Sequence, residues 1–260
     1  MSEAYALPHN NLTSGPADVY DAQPSLSPVE RITNTFLAPS KTFADVRRNR
    51  SWWFPFVLMA LFGYVFSGAV LTQIGPVKLA ETSIRNNPAQ NERMQSSSPE
   101  QRAQTLRYTA AGMQGTLLAL PVFILAFGAL EALLLWAGFN FLLGGSATYS
   151  GMFAVAMFAS LPSILRSLLV TAVVFAGDPD AFNLNDPIGT NPGFFMGLDS
   201  SVFLKSVLGS VDFFSLWILL LCAIGGAIVA RVKVSSGITL VFSGWLLYVL
   251  VKSGIVAAMS

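Results

Sequence analysis

Between residues 52 and 256 the chain carries five runs of nearly continuous Leu, Val, Ile, Phe and Ala, separated by polar stretches. The apolar positions do not alternate with polar ones, so the runs read as helices rather than barrel strands. A helix needs about 20 mainly apolar residues to cross a bilayer, and only helices or closed barrels satisfy their backbone in lipid. The runs predict spans near residues 54–74, 115–143, 149–175, 213–230 and 238–257. Gly144-Gly145-Ser146 joins the second to the third, and a turn holding Arg231 and Lys233 joins the fourth to the fifth. Links this short force two antiparallel hairpins. Pro162 interrupts the third span and predicts a kink. Residues 75–107 form a long polar connection ending in a helix start, with Ser98 as cap, Pro99 first and Gln101 third. That helix is expected to run straight on into span two. A second connection, 177–201, is rich in Asp, Asn, Pro and Gly and reads as turns.

Ahead of the spans the pattern changes twice. Residues 1–27 are polar, lack the apolar core of a signal peptide and predict a disordered tail. Residues 28–51 predict two short amphipathic helices. Ser27, Pro28 and Glu30 make a capping box before Val29, Ile32 and Phe36; Pro39 stops the first helix. The second, 40–49, puts Phe43 and Val46 on one face and Lys41, Arg47 and Arg48 near the other. Such a segment fits either a helix lying in the membrane interface or one packed on the bundle. Arg47, Arg48 and Arg50 precede Trp52 and Trp53, a basic and aromatic anchor of the kind found at the cytoplasmic end of a span. The expected organisation is a tail (1–27), amphipathic juxtamembrane helices (28–51) and a bundle of five transmembrane helices (52–260), an all-α polytopic fold. The basic residues Arg47, Arg48, Arg50, Arg231 and Lys233 share one side if the amino terminus is cytoplasmic, against Lys78, Arg85, Arg93, Arg102 and Arg107 in the long connection on the other side; the expected placement is the cytoplasmic membrane with the amino terminus inside.

Composition sharpens the class. Of 260 residues 53% are hydrophobic and only 11% charged, against roughly 25% charged in soluble proteins. A net charge of +1 gives no basic excess for nucleic acid. The single cysteine, Cys222, cannot form an intrachain disulfide and reads as a small residue packed in span four. His9, the only histidine, lies in the tail, so the bundle has no histidine for general-base chemistry or metal ligation. No HExxH or phosphate-loop pattern is present. The loop carrying Asp178, Asp180, Asn183, Asn185 and Asp186 fails the EF-hand spacing because Phe182 takes the third ligand position. Neither an enzyme, a cofactor nor a metal is expected. Asn11-Leu12-Thr13 matches a glycosylation pattern, but the expected topology puts it in the cytoplasm.

Three ionisable residues fall inside spans: Glu131, Arg166 and Lys252. Each costs about 2.5–3.5 kcal/mol at a helix centre. Counted from the Gly144 turn, Glu131 and Arg166 differ in height by roughly 10 Å, a gap a long Arg side chain narrows. They are expected to pair or to share a polar pocket, either locking the hairpin or lining a path, with Arg166 snorkelling as the remaining option. Lys252 is expected to snorkel. Asn140 and Thr171 are the nearest further polar candidates for a path. Ala223 and Ala227, with Gly226 and Ala230, give span four small residues at helical spacing, read as packing within the chain.

Several segments together resemble the Yip domain family, the Ypt/Rab-interacting polytopic membrane proteins, in its bacterial branch. They are Leu37-Ala38-Pro39-Ser40-Lys41-Thr42-Phe43, Arg47-Arg48-Asn49-Arg50-Ser51-Trp52-Trp53-Phe54-Pro55, Ala159-Ser160-Leu161-Pro162, and Val211-Asp212-Phe213-Phe214-Ser215-Leu216-Trp217. The resemblance implies five spans and a cytoplasmic amino terminus. In its eukaryotic members it implies vesicle traffic with Rab-type GTPases, and it carries over no catalytic residue. The expected function is a non-enzymatic membrane-organising or interaction scaffold, its partners the bilayer and proteins met through helix faces or the amphipathic segment. A homo-oligomer is compatible with this. The alternative is a small-solute or ion permease using Glu131 and Arg166.

Overall fold

The computed structural model describes residues 25–178, 182–184, 186–197 and 200–258. The expected tail, with His9 and Asn11, falls outside these except for its last residues, and so do Asp180 and Asn185. The described residues form helices and no strand. In chain order they are α1 (Pro28–Leu37), α2 (Pro39–Arg48), α3 (Trp53–Gln73), α4 (Pro76–Arg85), α5 (Pro88–Ser96), α6 (Pro99–Leu118), α7 (Leu120–Ala137), α8 (Tyr149–Ala159), α9 (Pro162–Ala176), α10 (Val202–Ser210), α11 (Phe213–Ala230) and α12 (Val234–Ala258). Five stretches are long and apolar enough to cross a membrane: Trp53–Gln73, Leu120–Leu142, Tyr149–Ala176, Phe213–Ala230 and Val234–Ala258. The chain is an all-α, multi-pass membrane protein.

Local chemistry sets the helix ends. Ser27 accepts from the Glu30 N–H while the Glu30 carboxylate accepts from the Ser27 N–H, and Ser98 and Gln101 repeat that exchange at α6. The expectation that α6 continues into span two is corrected. The helix breaks at Ala119, and span two begins at Leu120. Pro121 explains the break: its ring displaces the carbonyl four residues back and it has no N–H to offer. Span one covers the freed carbonyls, with Ser67 Oγ donating to Leu117 O (3.0 Å) and Tyr64 Oη to Leu118 O (3.3 Å). Pro162 acts similarly in span three: α8 ends at Ala159 and α9 starts at Pro162. Neither α4 and α5, inside the connection 75–107, nor α10 stood out as helices from apolar periodicity.

The spans pack as the short links require. α7 and α8 form one antiparallel hairpin, α11 and α12 another; α3 lies on α9, and α8 on α11. The chain closes the α7–α8 turn with a π-helical turn, Gly138–Leu142. Asn140 holds that turn, donating to Ala147 O and accepting from Ala147 N–H, both at 2.8 Å. Thr171 turns back onto Ser167 O. The small residues of α11 work inside the chain: a Cβ at Gly226 would lie 2.4 Å from the Phe139 ring, and one at Gly225 2.7 Å from the Phe43 ring.

The amphipathic segment is a helical hairpin that stands against the bundle. α2 lies along α11, and α1 packs on α2 and α8. Its contacts climb the bundle in order. Arg50 donates to Ser150 Oγ at the foot (3.3 Å), the Phe43 ring lies beside Gly225 and Val155, and Phe36 meets the Trp217 ring edge-on at 5.6 Å. Phe43 and Val46 are fully buried. Of the two arrangements open for this segment, the packed one is observed, because bare backbone at Gly225 lets an aromatic ring seat directly on α11.

Candidate functional site

The bundle has charged groups at both ends, and they differ in kind. At the end carrying the 144–147 and 231–233 turns, the α1–α2 hairpin encloses an ion pair. Arg31 Nε donates to Asp45 Oδ2 at 2.6 Å, and Arg31 Nη2 lies 2.6 Å from the same oxygen as an ion contact without hydrogen-bond alignment. Arg31 is 3% exposed and Asp45 1%. Arg48 Nη2 binds the other carboxylate oxygen at 3.0 Å. Arg31 Nη1 donates to Ser51 O at 3.4 Å, and its guanidinium sits 5.9 Å from the Phe158 ring centre. Thr35 and Thr42 both donate to Arg31 O, at 2.7 and 2.9 Å. Two buried opposite charges in contact, with Arg48 and Ser51 O as further partners and Arg31 Nη2 left without a hydrogen bond, are a lock, and breaking such a pair from one side costs about 3–5 kcal/mol.

The lock orients the residues expected to form the basic anchor. Lys41, Arg48 and Arg50 are exposed and Arg47 is half-buried. Trp52 is not free in an interface: it packs edge-on against Phe153 at 5.0 Å and Phe56 at 6.0 Å, while Trp53 stays more than half exposed. The outward side of the hairpin is mixed, with Glu30, Thr33, Ser40, Lys41 and Arg48 exposed beside Val29 and Leu37. The Ser27 N–H, and then its hydroxyl, hold the Glu30 carboxyl below the usual carboxylate range.

The expected meeting of Glu131 and Arg166 does not occur. Glu131 accepts from the Cys222 thiol, Sγ to Oε1 3.0 Å, so Cys222 is more than a space-filling residue. Arg166 lies past the Pro162 break, on α9, which packs against α3 instead of α7. Redirection of the chain at Pro162 separates the two charges that residue counting had brought near. Arg166 lines a chamber of about 510 Å³ at the opposite end of the bundle, with Asp186, Asp212 and Lys252 around it; Glu131 is not among the lining residues. Glu131 and Arg166 therefore do not line this chamber together. Lys252, expected to snorkel, instead donates to Ser210 Oγ on α10 at 2.6 Å.

Sequence reasoning missed Arg31 and Asp45, and it missed the chamber. The first had a weak signal, a lone Asp45 inside a basic helix flanked by Thr42. The second had a stronger one. Counted from the two hairpin turns, Arg166, Asp212 and Lys252 all lie about 25 Å along their helices, so three separate helices bring them to one level.

A family model described as the Yip1 domain matches residues 33–255. No curated protein and no solved structure matches the chain.

Proposed function

The chain belongs to the Yip1 domain family, and from that membership and the mounted hairpin we propose that it works as a non-enzymatic membrane scaffold with a cytoplasmic amino terminus. The observation that carries this reading is the division of the hairpin into two sides. Its inner side is fixed by Phe43, Val46 and the Arg31–Asp45 pair, all buried. Its outer side presents Glu30, Thr33, Ser40, Lys41 and Arg48, with Val29 and Leu37 as the exposed apolar residues among them. A helix face turned to lipid would be apolar; a polar face suits water and a partner that reads charge. Rigid mounting lowers the ordering cost of association. The basic residues leading into Trp52 and Trp53 fit the positive-inside rule on that side.

The test is site-specific photocrosslinking in native membranes, with the probe placed at Thr33 or Lys41. Adducts of discrete mass are expected from both positions and none from a probe at Val46. An adduct of twice the chain mass identifies a second copy as the partner. Uniform labelling at all three positions, or adducts only from the exposed face of α12, contradicts the assignment.

A further inference from the structure

We propose that the chamber around Arg166 and Lys252 seats a phosphate group, carried by a lipid headgroup or by a free phosphate ester. The inference is independent of the scaffold role. Two cations and two carboxylates face this chamber, yet among the described residues none of the four forms an ion pair with another. The carboxylates are already supplied from within the protein. Asp212 caps α11, accepting from the Ser215 N–H (3.0 Å) and hydroxyl (3.2 Å) and from the Thr190 hydroxyl, and Asp186 accepts from Asn191 Nδ2 at 3.0 Å. The cations are not. Lys252 spends one N–H on Ser210, and Arg166 spends none on any described residue. The unsatisfied capacity of the chamber is therefore donor capacity, concentrated on a guanidinium whose fork matches phosphate oxygens.

Place and size agree with that chemistry. Arg166, Asp212 and Lys252 sit about 25 Å along their helices from the hairpin turns, so three helices bring them to one level. A volume of about 510 Å³ lies within the range of small-molecule sites, about 300–1,000 Å³. The Ser163 hydroxyl on the wall can serve a remaining oxygen.

The experiment is thermal melting of the full chain in detergent, titrated separately with inorganic phosphate, glycerol 3-phosphate and a short-chain phosphatidylglycerol. Wild type is compared with Arg166→Gln, Arg166→Lys and Lys252→Gln, with Glu131→Gln as a distant control. Saturable stabilisation of wild type and of Glu131→Gln is expected, with affinity about tenfold or more weaker in Arg166→Gln and Lys252→Gln, the scale of a lost charge-assisted hydrogen bond. Arg166→Lys is expected to fall between. Stabilisation by the lipid alone assigns the source to a headgroup; stabilisation by glycerol 3-phosphate as well assigns it to a free ester. Should Arg166→Gln fail to fold, Lys252→Gln carries the comparison. The proposal is overturned if no phosphate probe shifts the wild-type transition, or if the variants respond as wild type does.

Discussion

At the hairpin end, Arg31 and Asp45 touch at 2.6 Å and are shut away from solvent. At the far end, Arg166, Lys252, Asp186 and Asp212 face one chamber and make no ion pair with one another. The same residue types occur in both places, so residue type does not decide what the charges do. Supply of partners does. Where the chain provides both charges, two threonines and an aromatic lid, the result is a lock that fixes a helical hairpin. Where it satisfies the carboxylates but, among the described residues, gives the Arg166 guanidinium no partner, the result is capacity for something from outside.

Substitutions at the two ends should therefore separate sharply. The largest effect is expected from Asp45→Ala or Arg31→Ala, each losing about 3–5 kcal/mol by stranding a buried charge, whereas the double substitution Arg31→Met with Asp45→Leu should lie much nearer wild type. Melting in detergent, read by size-exclusion recovery, measures both; equal and additive losses would show that the pair is not a unit. Next comes one substitution made at both ends. Gly225→Ala drives a methyl to 2.7 Å from Phe43 and 2.8 Å from Val155, an overpacking cost of about 1–3 kcal/mol. Gly209→Ala meets only Asn191 Oδ1, at 3.9 Å, and should be neutral or mildly stabilising, as alanine is the better helix former by about 1 kcal/mol. Comparable losses would remove the distinction between a packed end and an open one.

A smaller effect is expected at the chamber wall. Asp212→Ala removes the α11 cap and should cost about 0.5–2 kcal/mol, while Asp212→Asn keeps the cap and should cost less. The smallest effect concerns acid. Because the folded state lowers the Glu30 pKa, the capping box stabilises α1 above the unfolded carboxyl pKa, and that contribution is lost as pH falls through the lower folded value. Amide exchange in the first turn of α1 should quicken there in wild type; in Glu30→Gln the acid-dependent change should be absent.

Much of this was legible in the chain. Apolar run length located all five spans, and residues 213–230 matched the observed helix to the residue. Ser27 with Glu30, and Ser98 with Gln101, announced two helix starts, because capping is a local exchange between side chain and backbone. Beyond the two hairpins set by short links, what depends on which helix meets which was not legible. Pro121 sits inside a long apolar run, and its effect shows only in the hydroxyls that Ser67 and Tyr64 bring to the freed carbonyls. The Glu131–Arg166 pairing failed because height along a helix fixes one coordinate, while the break at Pro162 changes direction as well. Arg31 and Asp45 are 14 positions apart, and their meeting needs the turn at Ala38 to fold the two helices together.

The central claim, that the hairpin is mounted on the bundle with its polar side in water on the amino-terminal side of the membrane, is tested most directly by thiol accessibility. Lys41→Cys and Val46→Cys are introduced singly and treated with a membrane-impermeant maleimide in sealed vesicles of both orientations. The native Cys222 is buried and is expected to stay silent. Lys41→Cys should label rapidly in inside-out vesicles alone, without detergent, and Val46→Cys in neither. Labelling of Lys41→Cys only after detergent is added would place that face in lipid and contradict the account.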